Sequence, residues 1–290
     1  VPTRWPDLGA TTYFNIAGAE LHYALRGEVR RGAPFVLLAH GAFGDLRSLL
    51  PVADRLEDAC IPVTMSLPAL AGDARPARPF GTGGQAEDLA DLIAALGAAP
   101  AHIVAWSFAA HAALALACRR PELVASLFLF EPGFPTFVTD PATLAAIEED
   151  TLAAFVPVAE AVADGDFDAA LAHAIDAAAR EPGYFARQPE AYRIIHRDNA
   201  GTLPALFAQT EPVPLGPEDL AAITCPVTVA RGEHTRACYA LVTDAAAALV
   251  PGARHEVVAD AGHLLPEQDP ARFAALVRAH LSAAGAIAAG

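Results

Sequence analysis

Short apolar runs without in/out alternation recur along the chain at Phe35 to Ala39, Ile61 to Met65, Ile103 to Ala105, Leu127 to Phe130, Val227 to Ala230 and Glu256 to Ala259. Between them, residues 46–59, 85–97, 108–119, 238–249 and 269–283 carry helical patterns. Continuous apolar strands are those covered on both faces, and strand–helix alternation builds a parallel sheet with helices on each side. The pattern therefore predicts an α/β protein with a mostly parallel, twisted sheet. Ahead of it, "TYFNIAGAELHYALRG" has two strand-like arms around Ala17-Gly18-Ala19 and predicts an antiparallel hairpin at the sheet edge.

The alternation breaks between about Pro132 and Ile223, where three helical patterns follow one another at 141–163, 167–180 and 189–208, separated by "DGD" and "EPG" turns. Helices that leave from one strand and return before the next form an insertion over the carboxyl ends of the strands, where open α/β sheets bind ligands. The expected organisation is a core of residues 1–134 and 221–290 with a helical cap at 135–220.

Composition narrows the partners. The 290 residues suit one large α/β domain with an insertion, and no apolar run reaches the length of a membrane span. With 34 acidic against 19 basic side chains, the net charge of −15 repels polyanions, so nucleic acid and anionic membrane surfaces are poor partners. Cys60, Cys118, Cys225 and Cys238 are scattered, without a CxxC pair, and read as reduced thiols. Together with "VPTRWPDLGA", which lacks the pattern of a signal peptide, they lead to the expectation of a cytoplasmic protein. Whether it is a monomer or a homodimer is left open.

Candidate chemistry centres on Ser107. In "IVAWSFAAHAAL" a strand must stop and a helix start around the serine, a turn that projects a nucleophile and leaves the next N–H free for an oxyanion. The bland alternative is a serine capping the helix. His263, in "VVADAGHLLPEQDP" after the last strand-like run, is a near-neutral base that could deprotonate a hydroxyl. His40-Gly41 follows "FVLLA", and a glycine there lets the loop fold back so that the Ala42 N–H can point toward Ser107.

The set "AHGAFGD", "VAWSFAA", "SLFLFEPG" and "DAGHLLPEQDP", in this order and spacing, resembles the α/β-hydrolase fold superfamily of the capped bacterial type. The resemblance implies Ser107 as nucleophile, His263 as base, and the N–H groups of Ala42 and Phe108 as oxyanion hole. There are three departures. Ala105 and Ala109 replace the usual glycines of the GxSxG elbow, and "MSLPALAGDAR" stands where a D-x-P-G-x-G loop is common. Most important, the usual acid position is vacant: after "PVTVA" an Asp is expected about three residues beyond the Gly, and Gly232 is followed by Glu233, His234 and Thr235.

Some members of the superfamily, among them certain dehalogenases and zearalenone lactonase-like enzymes, take the acid from the strand after the nucleophile. By that resemblance Glu131, ending "FLFEPG", inherits the role, with Glu233 as the rival acid. A carboxylate right after four apolar residues is also costly unless paired.

A serine rather than an aspartate nucleophile disfavours dehalogenase and epoxide hydrolase chemistry and points to acyl transfer to water. Phe43, Trp106 and Phe134 lie in or beside the site loops, so a neutral, largely apolar ester or lactone is the expected small-molecule substrate. Carbon–carbon bond hydrolysis, acyl transfer to another acceptor, and non-catalytic ligand binding are the alternatives. His111, one turn after Ser107, reads as a packed residue. His234 and Cys238 share i, i+4 spacing but lack an evident third metal ligand. No motif for a metal or cofactor is present, and none is expected.

Overall fold

The computed structural model describes residues 11–16, 19–66, 80–208 and 213–288. The readings on residues 1–10, on the hairpin turn at 17–18 and on most of "MSLPALAGDAR" lie outside the described residues.

One eight-stranded sheet organises the chain. Its strands are β1 (Thr11–Ile16), β2 (Ala19–Leu25), β3 (Phe35–Ala39), β4 (Ile61–Met65), β5 (Ala101–Trp106), β6 (Val124–Phe130), β7 (Val227–Gly232) and β8 (Arg254–Val258). The spatial order is β1-β2-β4-β3-β5-β6-β7-β8. β1 pairs antiparallel with β2, from Ile16 opposite Ala19 outward, and β2 pairs antiparallel with β4. From β4 to β8 every pairing is parallel.

The helices of the sheet layers are α1 (Leu50–Ala53), α2 (Thr82–Ala95) and α3 (Phe108–Arg119), and later α10 (Ala237–Leu249), α11 (Leu265–Gln268) and α12 (Pro270–Ala283). Between β6 and β7 the described chain holds no strand. It forms α4 (Pro141–Ala163), α5 (Phe167–Ala179), α6 (Tyr184–Arg187), α7 (Glu190–Asp198), α8 (Leu203–Ala208) and α9 (Pro217–Ala221).

The apolar runs divide by parity, as a pleated strand requires. Leu37, Ala39, Ile103, Ala105, Leu127 and Leu129 join a core cluster with α2, α3 and α10. Val36, Leu38, Val104, Trp106, Phe128 and Phe130 join a second cluster with α12 and residues of α4 and α5. Both faces are covered, which is why these runs show no alternation. β8 is different: as the edge strand it leaves Arg254 and His255 exposed, so it begins two residues before the apolar run seen in the sequence.

Helix starts follow local chemistry. Asp140, Asp166 and Asp269 each accept a hydrogen bond from the backbone N–H three residues on, at 2.8 to 2.9 Å, capping α4, α5 and α12. Two expected helices are corrected. Residues 46–59 are helical only over Leu50–Ala53, continuing as turns with three-residue hydrogen bonds such as Leu56 N to Ala53 O. The pattern at 189–208 breaks after Asp198: the side chain of Asn199 is drawn into the protein, and Gly201 and Pro204 interrupt the helical ladder. The short α9 and α11 were not legible as helices. Among the described residues no helix is long and apolar enough to cross a membrane, and the four cysteines are free thiols.

A polar chain crosses the core away from the carboxyl ends of the strands. His280 of α12 lies 2.9 Å from Thr228 Oγ1 through Nδ1 and 2.8 Å from Ser126 Oγ through Nε2, and His102 Nδ1 lies 2.7 Å from the same Ser126 oxygen. Burial, with the neighbouring His102 and Arg254 charges, pushes the His280 imidazole from 6.5 down to about 4. The unfolded chain therefore takes up this proton first as pH falls, and stability above 6.5 is lost progressively toward about 4. Urea unfolding at pH 7.5 and pH 5 should show the wild type losing about 2 kcal/mol more than His280→Gln over that interval.

Candidate active site

The strand-to-helix turn after β5 puts Ser107 at φ 57° and ψ −114°, outside the helix that Phe108 starts. A non-glycine residue held there costs about 1 to 3 kcal/mol and persists where its surroundings enforce it. The enforcement is visible: Ser107 N donates to Phe130 O at 2.9 Å, and Ser107 O accepts from Ala110 N at 3.0 Å. The serine does not cap α3 with its side chain. Its Oγ lies 3.0 Å from His263 Nε2 instead.

The close approach that glycine usually serves in such an elbow is met from a neighbouring loop. A Cβ on Gly41 would lie 3.3 Å from both Ser107 Cβ and the Trp106 ring, so a side chain there would crowd the serine. Ala105 and Ala109 bury their methyl groups in the core. Six of the nine residues 109–117 are alanine, and α3 packs on α2, β5 and β6 through these small surfaces.

Glu131 follows β6 at φ 51°, a left-handed conformation that turns its side chain inward, and it is fully buried. Each carboxylate oxygen has a donor. Gly232 N donates to Oε1 at 2.7 Å, Thr235 Oγ1 donates to Oε2 at 2.6 Å, and His263 Nδ1 lies 2.6 Å from Oε2. A buried carboxylate with three donors is compensated for its lost hydration and fixes the imidazole ring. With Nδ1 donating to Glu131, Nε2 is free to accept from Ser107.

The loop after β7 links these groups. Besides Gly232 N and Thr235 Oγ1, it contributes Glu233 N to Val258 O at 2.9 Å and His234 N to Ala261 O at 2.8 Å, which ties it to the turn that carries His263. Tyr239 of α10 stacks flat on the His263 ring, with centroids 3.9 Å apart and planes 7° apart. Burial pushes its phenol well above the usual range and keeps it neutral.

Glu233, the rival acid, is exposed, and its Oε2 accepts from Asp260 N at 3.0 Å. His234 and Cys238 do not meet. His234 faces Asp260 at 3.7 Å on the surface, whereas Cys238 is buried and its backbone N donates to Asp150. Glu233, His234 and Asp260 cluster, all three exposed.

The loop after β3 lies against the serine. Neither Ala42 N nor Phe108 N makes a backbone hydrogen bond among the described residues, and Phe108, as the first helical residue, has no intrahelical acceptor. The peptide between Gly41 and Ala42 is oriented by buried His40, whose Nδ1 lies 2.7 Å from Gly41 O. Burial lowers the His40 pKa, so the ring is neutral and Nδ1 carries the proton it donates.

Ser107 and His263 open on a cavity of about 680 Å³ whose lining is mainly apolar and includes Phe43, Trp106, Phe108 and Phe134. Phe134 packs edge-on against Phe108 at 5.3 Å. Leu144 and Phe155 of α4 also line it, and Glu148, Thr151 and His196 are among its polar members. His111 does not line the cavity. It is wedged between Phe134 and Phe137 with Nε2 2.7 Å from Val213 O, and burial pushes its pKa down to about 4.

Sequence reasoning missed Gly232, Thr235 and Tyr239. For Thr235 a signal existed: it stands three residues after Gly232, where an acid was expected, and its hydroxyl donates to the Glu131 carboxylate at the end of the neighbouring strand.

Residues 36–276 match the family model described as "Alpha/beta hydrolase family", and the chain belongs to that family. No curated protein matches the sequence. Among solved structures, the chain is similar to the enol-lactonase from Burkholderia xenovorans LB400, with a TM-score of 0.74 at 19% identity over 93% of this chain and 100% of that one. It is also similar to the thermophilic esterase from Thermogutta terrifontis, with a TM-score of 0.70 at 22% identity over 95% and 99% of the two chains. Carboxylesterase CesB from Bacillus subtilis gives 0.70 at 19% identity over 96% and 93%. At these identities the likeness is one of fold.

The junction between the β7 and β8 loops leaves no room for a side chain. A Cβ on Gly232 would lie 2.3 Å from Ala261 O and 2.8 Å from Gly262 N, both backbone atoms. Gly232→Ala should therefore lower the unfolding free energy in urea by about 1 to 3 kcal/mol, more than alanine costs at a roomy site such as Gly201.

Proposed function

We propose that the protein is a serine hydrolase that cleaves a neutral, largely apolar carboxylic ester or lactone through an acyl-enzyme. One observation carries the reading: Ser107 Oγ, on a strained turn, lies 3.0 Å from a histidine whose other nitrogen is 2.6 Å from a fully buried carboxylate, at the floor of an apolar cavity. The esterase and lactonase names of the similar structures agree with this chemistry.

In the proposed reaction His263 takes the Ser107 proton as Oγ attacks the substrate carbonyl. The resulting oxyanion sits at the N–H groups of Ala42 and Phe108, and Glu131 stabilises the imidazolium. As the tetrahedral intermediate collapses, the bond to the leaving oxygen breaks and His263 gives it the proton, leaving Ser107 acylated. A water then gives its proton to His263 and its oxygen to the acyl carbon. Collapse releases the carboxylic acid and returns the proton to Ser107. For a lactone, alcohol and acid leave as one hydroxy acid.

The aromatic and aliphatic lining supports an apolar substrate, since few polar groups face the cavity to replace the hydration of a charged or sugar-like one. The same three residues could serve carbon–carbon bond hydrolysis or transfer to another acceptor. A non-catalytic ligand-binding protein is the rival, and the substituted elbow glycines are its main argument.

A fluorophosphonate probe should label the wild type and not Ser107→Ala, whereas a folded wild type left unlabelled would overturn the reading. For the acid, kcat on p-nitrophenyl esters should fall about 10³- to 10⁴-fold in Glu131→Gln and stay within a few-fold in Glu233→Gln. The reverse result would move the role to Glu233.

A further inference from the structure

Beyond Ser107, Glu131 and His263, the protein holds a second buried histidine–glutamate pair. His196, near the end of α7, and Glu267 of α11 are both nearly inaccessible, with Nε2 and Oε2 3.3 Å apart. Gln188 Nε2 donates to the same Glu267 oxygen at 2.7 Å, fixing the carboxylate from the inserted helices. The other ring nitrogen, His196 Nδ1, lies 3.1 Å from Phe43 O. Burial opposes a charged ring, yet the Glu267 carboxylate, the Phe43 carbonyl and Asp45 together hold the His196 pKa above its ordinary value, and Nδ1 is the nitrogen placed to donate to Phe43 O.

The target of that donation is the residue next to Ala42. Phe43 is a non-glycine residue at φ 62°, so its peptide needs an outside partner to keep it there. The end of α7 also grips the loop further on: Asn199 Nδ2 donates to Asp45 Oδ2 at 2.9 Å, and Asp198 pairs with buried Arg47 at 2.9 Å. These two contacts anchor residues 45 and 47, and His196 reaches the segment that touches the serine.

We propose that His196, held by Glu267 and Gln188, is a positioning residue for the oxyanion loop: it locks Phe43 and thereby the Ala42 N–H, making a correct oxyanion hole conditional on the seating of α7. The inference rests on the proposed hydrolase reading for its kinetic readout and on the loop geometry alone for its structural one. His196 also borders the cavity, but both of its ring nitrogens face protein partners, Phe43 O and Glu267, so its loss acts through the oxyanion donor, lowering kcat and sparing KM.

Two substitutions separate the ring nitrogens, since the amide of an asparagine reaches the place of Nδ1 and the amide of a glutamine that of Nε2. His196→Ala and His196→Gln should each lower kcat on p-nitrophenyl butyrate about 10- to 100-fold, with KM within threefold. His196→Asn should recover kcat to within about fivefold of wild type. In parallel, amide hydrogen exchange of residues 41–44 should be faster in His196→Ala and His196→Gln and near wild type in His196→Asn. Equal exchange and equal kcat in the His196→Asn and His196→Gln variants would overturn the proposal, as would a rise in KM with kcat unchanged. If the variants exchange as described but the wild type hydrolyses no ester, the hydrolase reading fails and the positioning role stands.

Discussion

The site depends on burying one carboxylate. Glu131 has no exposure to solvent, and an ion in that position is tolerated because Gly232, Thr235 and His263 each give it a hydrogen bond. Removing one partner from such a group leaves an uncompensated charge, worth about 3 to 5 kcal/mol in a buried pair. The constraint reaches outward: Gly232 is pressed against the Ala261 backbone, Thr235 starts the turn into α10, and Tyr239 on that helix covers the His263 ring. The β6 end, the β7 loop and the β8 loop are thus fixed relative to one another by a single charged group.

Parallel strands make this convergence possible. Their carboxyl ends lie along one edge of the sheet, so the residues after β3, β5, β6, β7 and β8 meet although they are far apart in sequence, 156 positions in the case of His263 and Ser107. The backbone bends where they meet. Phe43, Ser107, Glu131 and Asp260, each just past a strand, have positive φ without being glycine. Strain of that kind gathers where side chains must be aimed against local preference, and the surrounding hydrogen bonds hold it. The helices between β6 and β7 complete the arrangement, lining the cavity with α4 and bracing the loop after β3 with α7.

Much of this was legible in the chain. The limits of β3, β4, α3 and α4 coincide with the runs that predicted them, because strands covered on both faces and alanine-rich or Asp-capped helices write their pattern directly into apolar spacing. Ser107, Glu131 and His263 were picked out through the resemblance of their motifs to the α/β-hydrolase superfamily, the stretch around Ser107 by itself leaving a helix-capping serine open. Less legible were the pieces whose form depends on distant neighbours. The pattern at 189–208 looks like one helix, yet Asn199 is drawn to Asp45 and ends it. β8 starts earlier than its apolar run because an edge strand exposes half its positions.

The elbow alanines illustrate the remaining boundary. Sequence alone determined that a serine stands between an apolar strand and an alanine-rich helix, with a glutamate one strand later and a histidine before the last helix. It could not say which backbone approaches that serine. Only the folded chain decided that Gly41, 66 positions away, lies tightly against that serine, that Thr235 donates to Glu131, and that His196 reaches Phe43. Apolar periodicity is a local property and survives in the order of residues. The packing distances that make a site belong to pairs of segments, and exist only once the sheet has brought its carboxyl ends together.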